Sequence, residues 1–476
     1  MFATALAACS ERESGPVVVS VIGTRAQLAE PLKGLPSPAS KLILESTAQG
    51  LVAFDAAGDI LPALAQRWIV EEDGRSYIFR LRRATWPNGA RVTAKEVARM
   101  LEVRIESIRA LDPDGPFDAV QEVVPMTGEV IEIRLSAARP MLLQLLAQPQ
   151  LAILSRDGGT GPYRQERWAR ALMLTPVGDA TDTGDDRIVP PADRRILRAD
   201  RAALAVVRFR AEQVSLVLGG RFSDLPLVQA ARIDSRAIRT DPVHGLLGLS
   251  FARTGPLVED GAVRAAISMA IDRERLPALL GLGRWAVGDQ FLPQQFDLPR
   301  PPTAPAWAGL SIEERRTQAR AAIVRWRDGH GAPPPLRIAL PSGPGSTLLF
   351  GLLATDLAQI GLTAQRVAPA ENADLRLIDE VAPYDSAIWY LGRIGCMRRI
   401  NCSPLAEEKM QEASLASTMA DRLALLAEAE ALMVAHNGYI ALGAPVRWSL
   451  VSRRLAGFTP SPRARHPLNH LLRDPN

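Results

Sequence analysis

Residues 44–103 read LESTAQGLVAFDAAGDILPALAQRWIVEEDGRSYIFRLRRATWPNGARVTAKEVARMLEV, and the order of turns in this stretch decides the fold. A short apolar run at residues 52–54 reverses at Gly58-Asp59, which predicts a β-hairpin. Apolar and polar residues then alternate on both sides of Asp73-Gly74, and a period of two around an Asp-Gly corner predicts a second hairpin.

The helix that follows has a recognisable start. Thr93, with Glu96 three residues later, forms a capping-box pattern ahead of apolar residues at helical spacing. Taken together, the turns, aromatic residues and helix start resemble the extracytoplasmic solute-binding proteins of peptide-type ABC importers, the oligopeptide- and dipeptide-binding family (family 5). A role in the core or in a hairpin would explain each of these residues by itself, but it would not explain why all of them occur together at this spacing. The matching positions are Gly50-Leu51, Phe54-Asp55, Gly58, Pro62, Leu64-Ala65, Trp68, Asp73-Gly74, Tyr77, Phe79, Leu81-Arg82, Trp86, Asn88-Gly89, Thr93-Ala94, Glu96 and Val97.

Two later segments carry the same resemblance. Residues 159–163, Gly-Thr-Gly-Pro-Tyr, match a family landmark where the chain returns to the main sheet of the first lobe. Residues 259–273 have apolar side chains on one helical face and match a second-lobe helix of the family. The apolar strand at residues 246–251 departs from the family pattern at its end, where Ala252 stands in place of Asn.

The resemblance implies an α/β, two-lobed periplasmic binding protein fold of class II, with an extra subdomain in the first lobe. The length of 476 residues also exceeds the size at which a single core stops growing, about 250–300 residues. We expect residues near 244–251 and 439–447 to form the hinge. The expected divisions are a signal remnant or tether at 1–14, lobe I at 15–45, 161–245 and 440–476, its subdomain at 46–160, and lobe II at 246–439.

The charge composition excludes some partners. Lysine and arginine number 56 against 52 aspartate and glutamate, giving a net charge of +4. This excess is too small and too scattered to favour nucleic acid as a partner. No run approaches the roughly 18 consecutive apolar residues of a membrane helix, so we expect contact with the membrane only through a lipid anchor. We also expect a monomer.

The proposed anchor is Cys9. Residues 6–9, Leu-Ala-Ala-Cys, look like the lipobox of a bacterial lipoprotein, in which the cysteine is acylated after cleavage. The basic residues that precede the apolar stretch of a signal peptide are missing. Either the natural chain starts further upstream, or Cys9 is an ordinary thiol.

The other two cysteines, Cys396 and Cys402, have five residues between them. In an oxidising periplasm this spacing is compatible with a local disulfide, since the flexible Gly395 helps to close a small ring. A zinc site would need more ligands nearby, and the sequence has none there.

No arrangement of residues points to catalysis. The histidines lie mostly in turns or near the termini, and neither an HExxH motif nor a Gly-x-Ser-x-Gly elbow occurs. We therefore expect a protein that is not an enzyme and uses no cofactor or metal.

The candidate ligand-binding residues are Trp389, Tyr390 and Arg393, with Ser46 and Thr47 as weaker candidates at a helix end of the first lobe. We expect strands of the second lobe at residues 373–378 and 386–391. Trp389 matches the tryptophan that ends a second-lobe strand in the family, although burial in the core would explain it too. In peptide binders an acidic residue often follows and pairs with the ammonium group of the peptide, whereas residues 392–396 here read Gly-Arg-Ile-Gly-Cys. Recognition of a free amino terminus is then doubtful, and Arg393 could favour a carboxylate or another anion.

The sequence thus predicts a periplasmic, lipid-anchored solute-binding component of an ABC transporter. It would capture a peptide or peptide-like solute between two lobes and deliver it to a membrane permease driven by an ATPase. The alternative is a ligand-poor relative that acts as an envelope sensor or chaperone, which the missing acid and Asn would permit. A hydrolase is a distant third reading.

Overall fold

The structure is a computed structural model. It describes residues 15–33, 36–55, 57–110, 115–178, 189–252, 255–283, 285, 287–294, 296, 298–396, 400–416 and 418–473. The chain divides into two compact units. Unit 1 comprises the residues up to Gly220, then Leu227–Pro242, and the residues from Arg447 onward; unit 2 comprises Arg221–Pro226 and Val243–Val446.

Strands and helices are numbered here in chain order. The strands are β1 (Val17–Ile22), β2 (Val52–Phe54), β3 (Ile60–Pro62), β4 (Ala65–Glu71), β5 (Ser76–Leu81), β6 (Val120–Thr127), β7 (Val130–Leu135), β8 (Leu154–Ser155), β9 (Gly158–Gly159), β10 (Tyr163–Trp168), β11 (Ala171–Pro176), β12 (Arg195–Asp200), β13 (Leu216–Arg221), β14 (Ile238–Thr240), β15 (Gly245–Phe251), β16 (Leu336–Ala339), β17 (Ala364–Val367), β18 (Leu375–Val381), β19 (Tyr439–Gly443), β20 (Arg447–Val451), β21 (Leu455–Ala456) and β22 (Leu472–Arg473). The helices are α1 (Arg25–Ala29), α2 (Pro38–Thr47), α3 (Ala94–Arg109), α4 (Leu142–Leu146), α5 (Ala202–Arg210), α6 (Leu225–Ala230), α7 (Pro256–Glu259), α8 (Gly261–Ala270), α9 (Leu276–Leu280), α10 (Ile312–His330), α11 (Pro344–Ala358), α12 (Ala387–Arg393), α13 (Pro404–Leu415) and α14 (Met419–His436).

Unit 1 is built on a mixed sheet with the strand order β10-β11-β12-β1-β13-β20-β14. The central strand β1 runs parallel to β12 and β13. Its residues Val17, Val19 and Val21 are fully buried, as expected for a β-branched strand in the middle of a covered sheet. Helix α2 packs into the same core through Ala39, Leu42 and Ile43.

The stretch quoted at the start of the sequence analysis forms small sheets of unit 1. Strands β2 and β3 pair in antiparallel fashion, as do β4 and β5, so both predicted hairpins are confirmed. The second hairpin continues into a separate sheet with the order β4-β5-β7-β6. The predicted helix start is confirmed too: the Thr93 hydroxyl accepts from the Glu96 amide at 3.3 Å, and the Glu96 carboxylate accepts from the Thr93 amide at 3.2 Å.

Unit 2 contains a sheet with the strand order β17-β16-β18-β15-β19. Strands β16, β17 and β18 run parallel to one another, while β15 is antiparallel to both of its neighbours. Helix α8 covers this unit with the apolar face predicted from its spacing: Val263, Ile267 and Ala270 are fully buried.

The boundaries of the two units differ from the expected lobe boundaries at 245/246 and 439/440. Strand β15 pairs along its whole length with β18, so Gly245 already belongs to unit 2. Strand β19 pairs with β15, and the chain returns to unit 1 only at Arg447. Residues 221–226 also belong to unit 2, which the sequence analysis did not predict.

The packing of residues 221–226 against unit 2 depends on two glycines at the start of α11. A Cβ atom on Gly345 would lie 2.1 Å from the carbonyl oxygen of Phe222, and one on Gly343 would lie 2.7 Å from that of Ser223. Gly343 also has a φ of 134°, a value that residues other than glycine rarely adopt. The absence of side chains at both positions therefore lets the backbone of residues 222–223 close over the first turn of α11.

This contact makes a substitution at Gly345 costly. We expect Gly345→Ala to destabilise unit 2 by about 1–3 kcal/mol, because the added methyl group meets a backbone carbonyl that has little room to move. Gly351→Ala in the same helix is the matched control, since a Cβ there meets nothing within 4 Å. The control should gain about 0.5–1 kcal/mol from helix propensity. Thermal and urea unfolding of the two variants would measure both effects, and equal stability of the two would contradict the contact.

Candidate functional site

The connections of the unit 2 sheet diverge at one place. From β16 the chain passes through α11 to β17 on one side, whereas from the neighbouring parallel strand β18 it passes through α12, α13 and α14 to β19 at the opposite end of the sheet. In open α/β sheets, ligands bind outside the carboxyl ends of the strands at such a point of divergence. We call the carboxyl ends of β16 and β18, with the residues that cover them, the switch-point edge.

Two acidic residues lie at this edge on β18. Glu380 pairs with Leu246 of β15, and Asp379 pairs with Leu247, so their side chains point to opposite faces of the sheet. The guanidinium of Arg393 binds Glu380 through two hydrogen bonds, from Nε to Oε2 at 2.8 Å and from a terminal nitrogen to Oε1. The Glu380 side chain is 42% exposed and that of Arg393 is 21% exposed. The edge therefore carries a bidentate ion pair that remains accessible to solvent.

A third carboxylate, Asp224, is supplied by residues 221–226. Burial raises the pKa of the Asp224 carboxyl above its ordinary value; a hydrogen bond from the Ser223 hydroxyl and the charge of Arg221 act in the opposite direction, and the negative charge of Asp379 raises it further. The hydroxyl of Ser223 donates to Asp224 Oδ2 at 3.2 Å. The charge of Asp379 thus lies close enough to Asp224 to act on the ionisation of the Asp224 carboxyl.

Tyr439 places a buried hydroxyl within electrostatic reach of the acidic residues. Within the part of the chain that the structure describes, its Oη atom is buried without a hydrogen-bond partner. Burial raises its pKa well above the ordinary value, and the charges of Glu380 and Asp379 add to this effect. The ring occupies the space left by Gly248, where a Cβ atom would lie 2.4 Å from Oη. The hydroxyl is therefore neutral at physiological pH.

The structure places Trp389, Tyr390 and Arg393 together in α12, near β18. The sequence analysis predicted a strand at residues 386–391, and this prediction is wrong, because the segment is helical. Tyr390 is fully buried and packs edge-on against Phe296 at 5.4 Å and against Trp389 at 4.8 Å. The Tyr390 ring therefore belongs to the core, whereas Trp389 is half-buried.

The helical α12 also corrects the position at which an acid was judged to be missing. The second-lobe strand ends at Val381, so the residues that follow it are 382–385, Ala-Pro-Tyr-Asp, rather than residues 392–396. Asp379 and Glu380 stand at the strand end, and Asp385 follows it. Acidic residues thus lie at the end of the strand that precedes α12, while residues 392–396, where the sequence analysis found none, contain none. Arg393, which was considered as an open site for an anion, already binds Glu380.

Ser46 and Thr47 lie at the end of α2 in unit 1. Both side chains are buried, and their hydroxyl groups donate to the carbonyl oxygens of Leu42 and Ile43, each at 2.7 Å. Close packing of Gly159 and Gly161 against Thr47 and Ala48 covers the helix end, since a Cβ atom on either glycine would lie within 2.6 Å of this backbone or of the Ala48 side chain. The contacts of both hydroxyls thus serve the packing of unit 1.

Cys9 lies outside the described residues. Cys396 and Cys402 form the predicted disulfide, with their Cα atoms 5.1 Å apart. The amide of Cys396 also donates to Glu407 Oε2 at 2.9 Å.

The described residues contain no group of three or more His, Cys, Asp or Glu side chains placed to hold a metal ion. Among them, no helix has the length and apolar character needed to cross a membrane.

Sequence reasoning missed Asp379, Glu380, Asp224 and Tyr439 as site residues. The strand was predicted to end at Ile378, whereas β18 continues through Asp379 and Glu380 to Val381 although Asp and Glu are depleted in strands. A signal for the true end was available in Pro383, which cannot donate to a sheet ladder and therefore stops β18 shortly before it.

Comparison with known proteins gives a family match over most of the chain. Residues 59–390 match the family model described as bacterial extracellular solute-binding proteins, family 5 Middle. A binding protein of Haemophilus influenzae is 23% identical over 271 residues, which are 53% of this chain and 49% of that protein. The alignment therefore spans about half the length of that relative.

Two further matches cover most of both partners. The di/tripeptide-binding protein 5 of Pseudomonas aeruginosa is 22% identical over 492 residues, 88% of this chain and 89% of that protein. Among solved structures, the murein tripeptide binding protein MppA of Escherichia coli superposes with a TM-score of 0.80 at 19% identity, covering 97% of this chain and 99% of that chain. This likeness shows the two-lobed α/β fold.

The unpaired hydroxyl of Tyr439 leads to a stability prediction. We expect Tyr439→Phe to leave the free energy of unfolding unchanged or to raise it by up to about 1 kcal/mol, because a buried hydroxyl without a partner costs desolvation energy. The matched control is Tyr77→Phe, since the buried Tyr77 hydroxyl donates to the Arg139 carbonyl at 3.0 Å. That variant should lose about 1 kcal/mol. Urea denaturation measures both, and an equal loss in the two variants would mean that the Tyr439 hydroxyl is bonded.

Proposed function

Because the chain belongs to the family 5 bacterial extracellular solute-binding proteins, we propose that it is the solute-binding component of an ABC importer for peptides or peptide-like solutes. The observation that carries the proposal is the switch-point edge of unit 2, where the charge of Asp379 acts on Asp224 and the following helix α12 carries the half-buried Trp389. A peptide offers N–H donors to carboxylates and apolar side chains to an indole ring. The edge therefore suits a solute of mixed polarity.

The relatives support a peptide-like solute. The names of the Pseudomonas aeruginosa and Escherichia coli proteins describe binding of di- and tripeptides and of a murein tripeptide. A binder of this kind captures its solute and hands it to a membrane permease powered by an ATPase. We infer that the present chain has such partners, that it works as a monomer, and that it holds its solute without transforming it.

The alternative function, a ligand-poor sensor or chaperone of the envelope, was motivated by a missing acid and by Ala252 in place of Asn. Asp379, Glu380 and Asp385 at the end of β18 supply acidic residues near α12, and we therefore favour transport. We propose a periplasmic location for the protein, with Cys9 as its lipid anchor. The sequence Leu-Ala-Ala-Cys at residues 6–9 supports the anchor.

The binding function is tested by purifying the protein from a periplasmic extract, denaturing it and identifying released small molecules by mass spectrometry. We expect a recurrent peptide or peptide-like species. In calorimetric titration with that species or with synthetic di- to tetrapeptides, Asp379→Asn should weaken binding about tenfold or more, since a hydrogen bond to a charged group contributes about 1.5–3 kcal/mol. Glu408→Gln, an exposed acid on α13, is the control and should bind like the parent. An empty protein that responds to no peptide or metabolite would overturn the proposal.

The lipid anchor is tested by fractionating cells that produce the natural precursor or its Cys9→Ala variant. The parent protein should sediment with membranes and carry the added mass of acyl chains on its amino-terminal peptide, whereas the variant should be released with the soluble periplasm. An alkylating reagent should leave Cys9 of the parent unmodified, because a thioether cannot react. Alkylation of Cys9 in the parent would show an ordinary thiol instead.

A further inference from the structure

The ion pair between Arg393 and Glu380 has a consequence for which solutes can bind. Resting on the proposed function, we propose that Arg393 is a specificity-determining residue: by occupying the Glu380 carboxylate, it makes the switch-point edge select peptide-like solutes whose amino end is blocked or absent. A solute with a free ammonium group would have to compete with a guanidinium that already holds this carboxylate.

The geometry of the pair favours the guanidinium in that competition. Both oxygens of Glu380 accept hydrogen bonds from Arg393, one from Nε at 2.8 Å and one from a terminal nitrogen. Planar bidentate pairing of this kind uses the fixed fork of arginine, which an ammonium group cannot reproduce. An incoming ammonium would therefore break two charge-assisted hydrogen bonds and meet a like charge at the same place.

Arg393 is held in position by the chain on both sides of it. It is the last residue of α12, and the buried side chains of Tyr390 and Leu391 fix this helix to the core of unit 2. The chain after it is fixed to α13 and to the residues just before that helix. The Cys396 amide donates to Glu407 at 2.9 Å, and Cys396 forms a disulfide with Cys402. The guanidinium is thus presented to Glu380 by a fixed backbone.

The exposure of the pair makes it available to a solute. The Glu380 side chain is 42% exposed and Arg393 is 21% exposed, so the pair is neither sealed in the core nor free in solvent. The buried hydroxyl of Tyr439, which feels the charge of Glu380, is neutral and brings no compensating charge. Removing the guanidinium would therefore expose a negative charge at the carboxyl end of β18.

The test compares trialanine with N-acetyl-trialanine by calorimetric titration. The parent protein should bind the acetylated peptide at least as tightly as the free one. Arg393→Met keeps a long apolar stem but removes the charge, and it should shift the ratio of the two affinities at least tenfold in favour of the free amino terminus. The double variant Arg393→Met with Glu380→Gln removes both charges and should return the ratio to near that of the parent.

The control is Arg337→Met, which removes an arginine of the same unit that pairs at 3.9 Å with Glu371; its affinity ratio should match that of the parent. Circular dichroism confirms that each variant is folded. The inference is overturned, while the proposed function stands, if the parent prefers the free peptide tenfold or if Arg393→Met leaves the ratio unchanged. If folded parent and variants bind neither peptide, nor any of the di- to tetrapeptides, then the proposed function fails and the inference with it.

Discussion

The closure of residues 222–223 over the first turn of α11 is the contact on which the organisation of unit 2 depends. The amino end of a helix carries free N–H groups and a partial positive charge, and it commonly serves as an anion site. Here the carbonyl oxygens of Phe222 and Ser223 approach that end, and Gly343 and Gly345 provide the space. The start of α11 is thus covered by the protein's own backbone. The polar groups that the switch-point edge offers to a solute are therefore the carboxylates of β18.

Helix α11 is fixed at its other end by a buried charge. The Asp356 side chain is fully buried and accepts a hydrogen bond from Arg316 at 2.6 Å and another from the Asp272 amide at 2.9 Å. Burial raises the pKa of Asp356, while these partners lower it. A buried carboxylate with several donors ties three segments together, and losing a donor would leave an uncompensated charge. The helix between β16 and β17 is therefore constrained at both ends, which gives the carboxyl end of β16 a defined place.

The sequence was sufficient for the parts of the fold whose signals are local. Turn residues identified the two hairpins, a capping box identified the start of α3, and helical periodicity identified the buried face of α8. It failed for residues 386–391, where the apolar run AIWYL is too short for its period to separate a strand from a helix. The boundaries of unit 2 were likewise shifted, because pairing of β15 with β18 and β19 is a long-range property. The packing of residues 221–226 into unit 2 depends on glycines more than 100 residues later in the chain. A local sequence pattern cannot reveal a contact between segments so far apart.

The mistaken strand had a direct effect on how the chemistry of the site was interpreted. With residues 386–391 extended, Arg393 would come just beyond a strand end, where it would look like a free cation facing the solute. Because the segment is helical, α12 turns back toward β18 and brings Arg393 onto Glu380, which precedes it by 13 residues. A residue that suggested affinity for an anion thereby becomes half of a neutral pair. The charge that a solute meets at this edge is set by tertiary contacts, so composition and motif spacing alone could identify the charged residues but not their net effect.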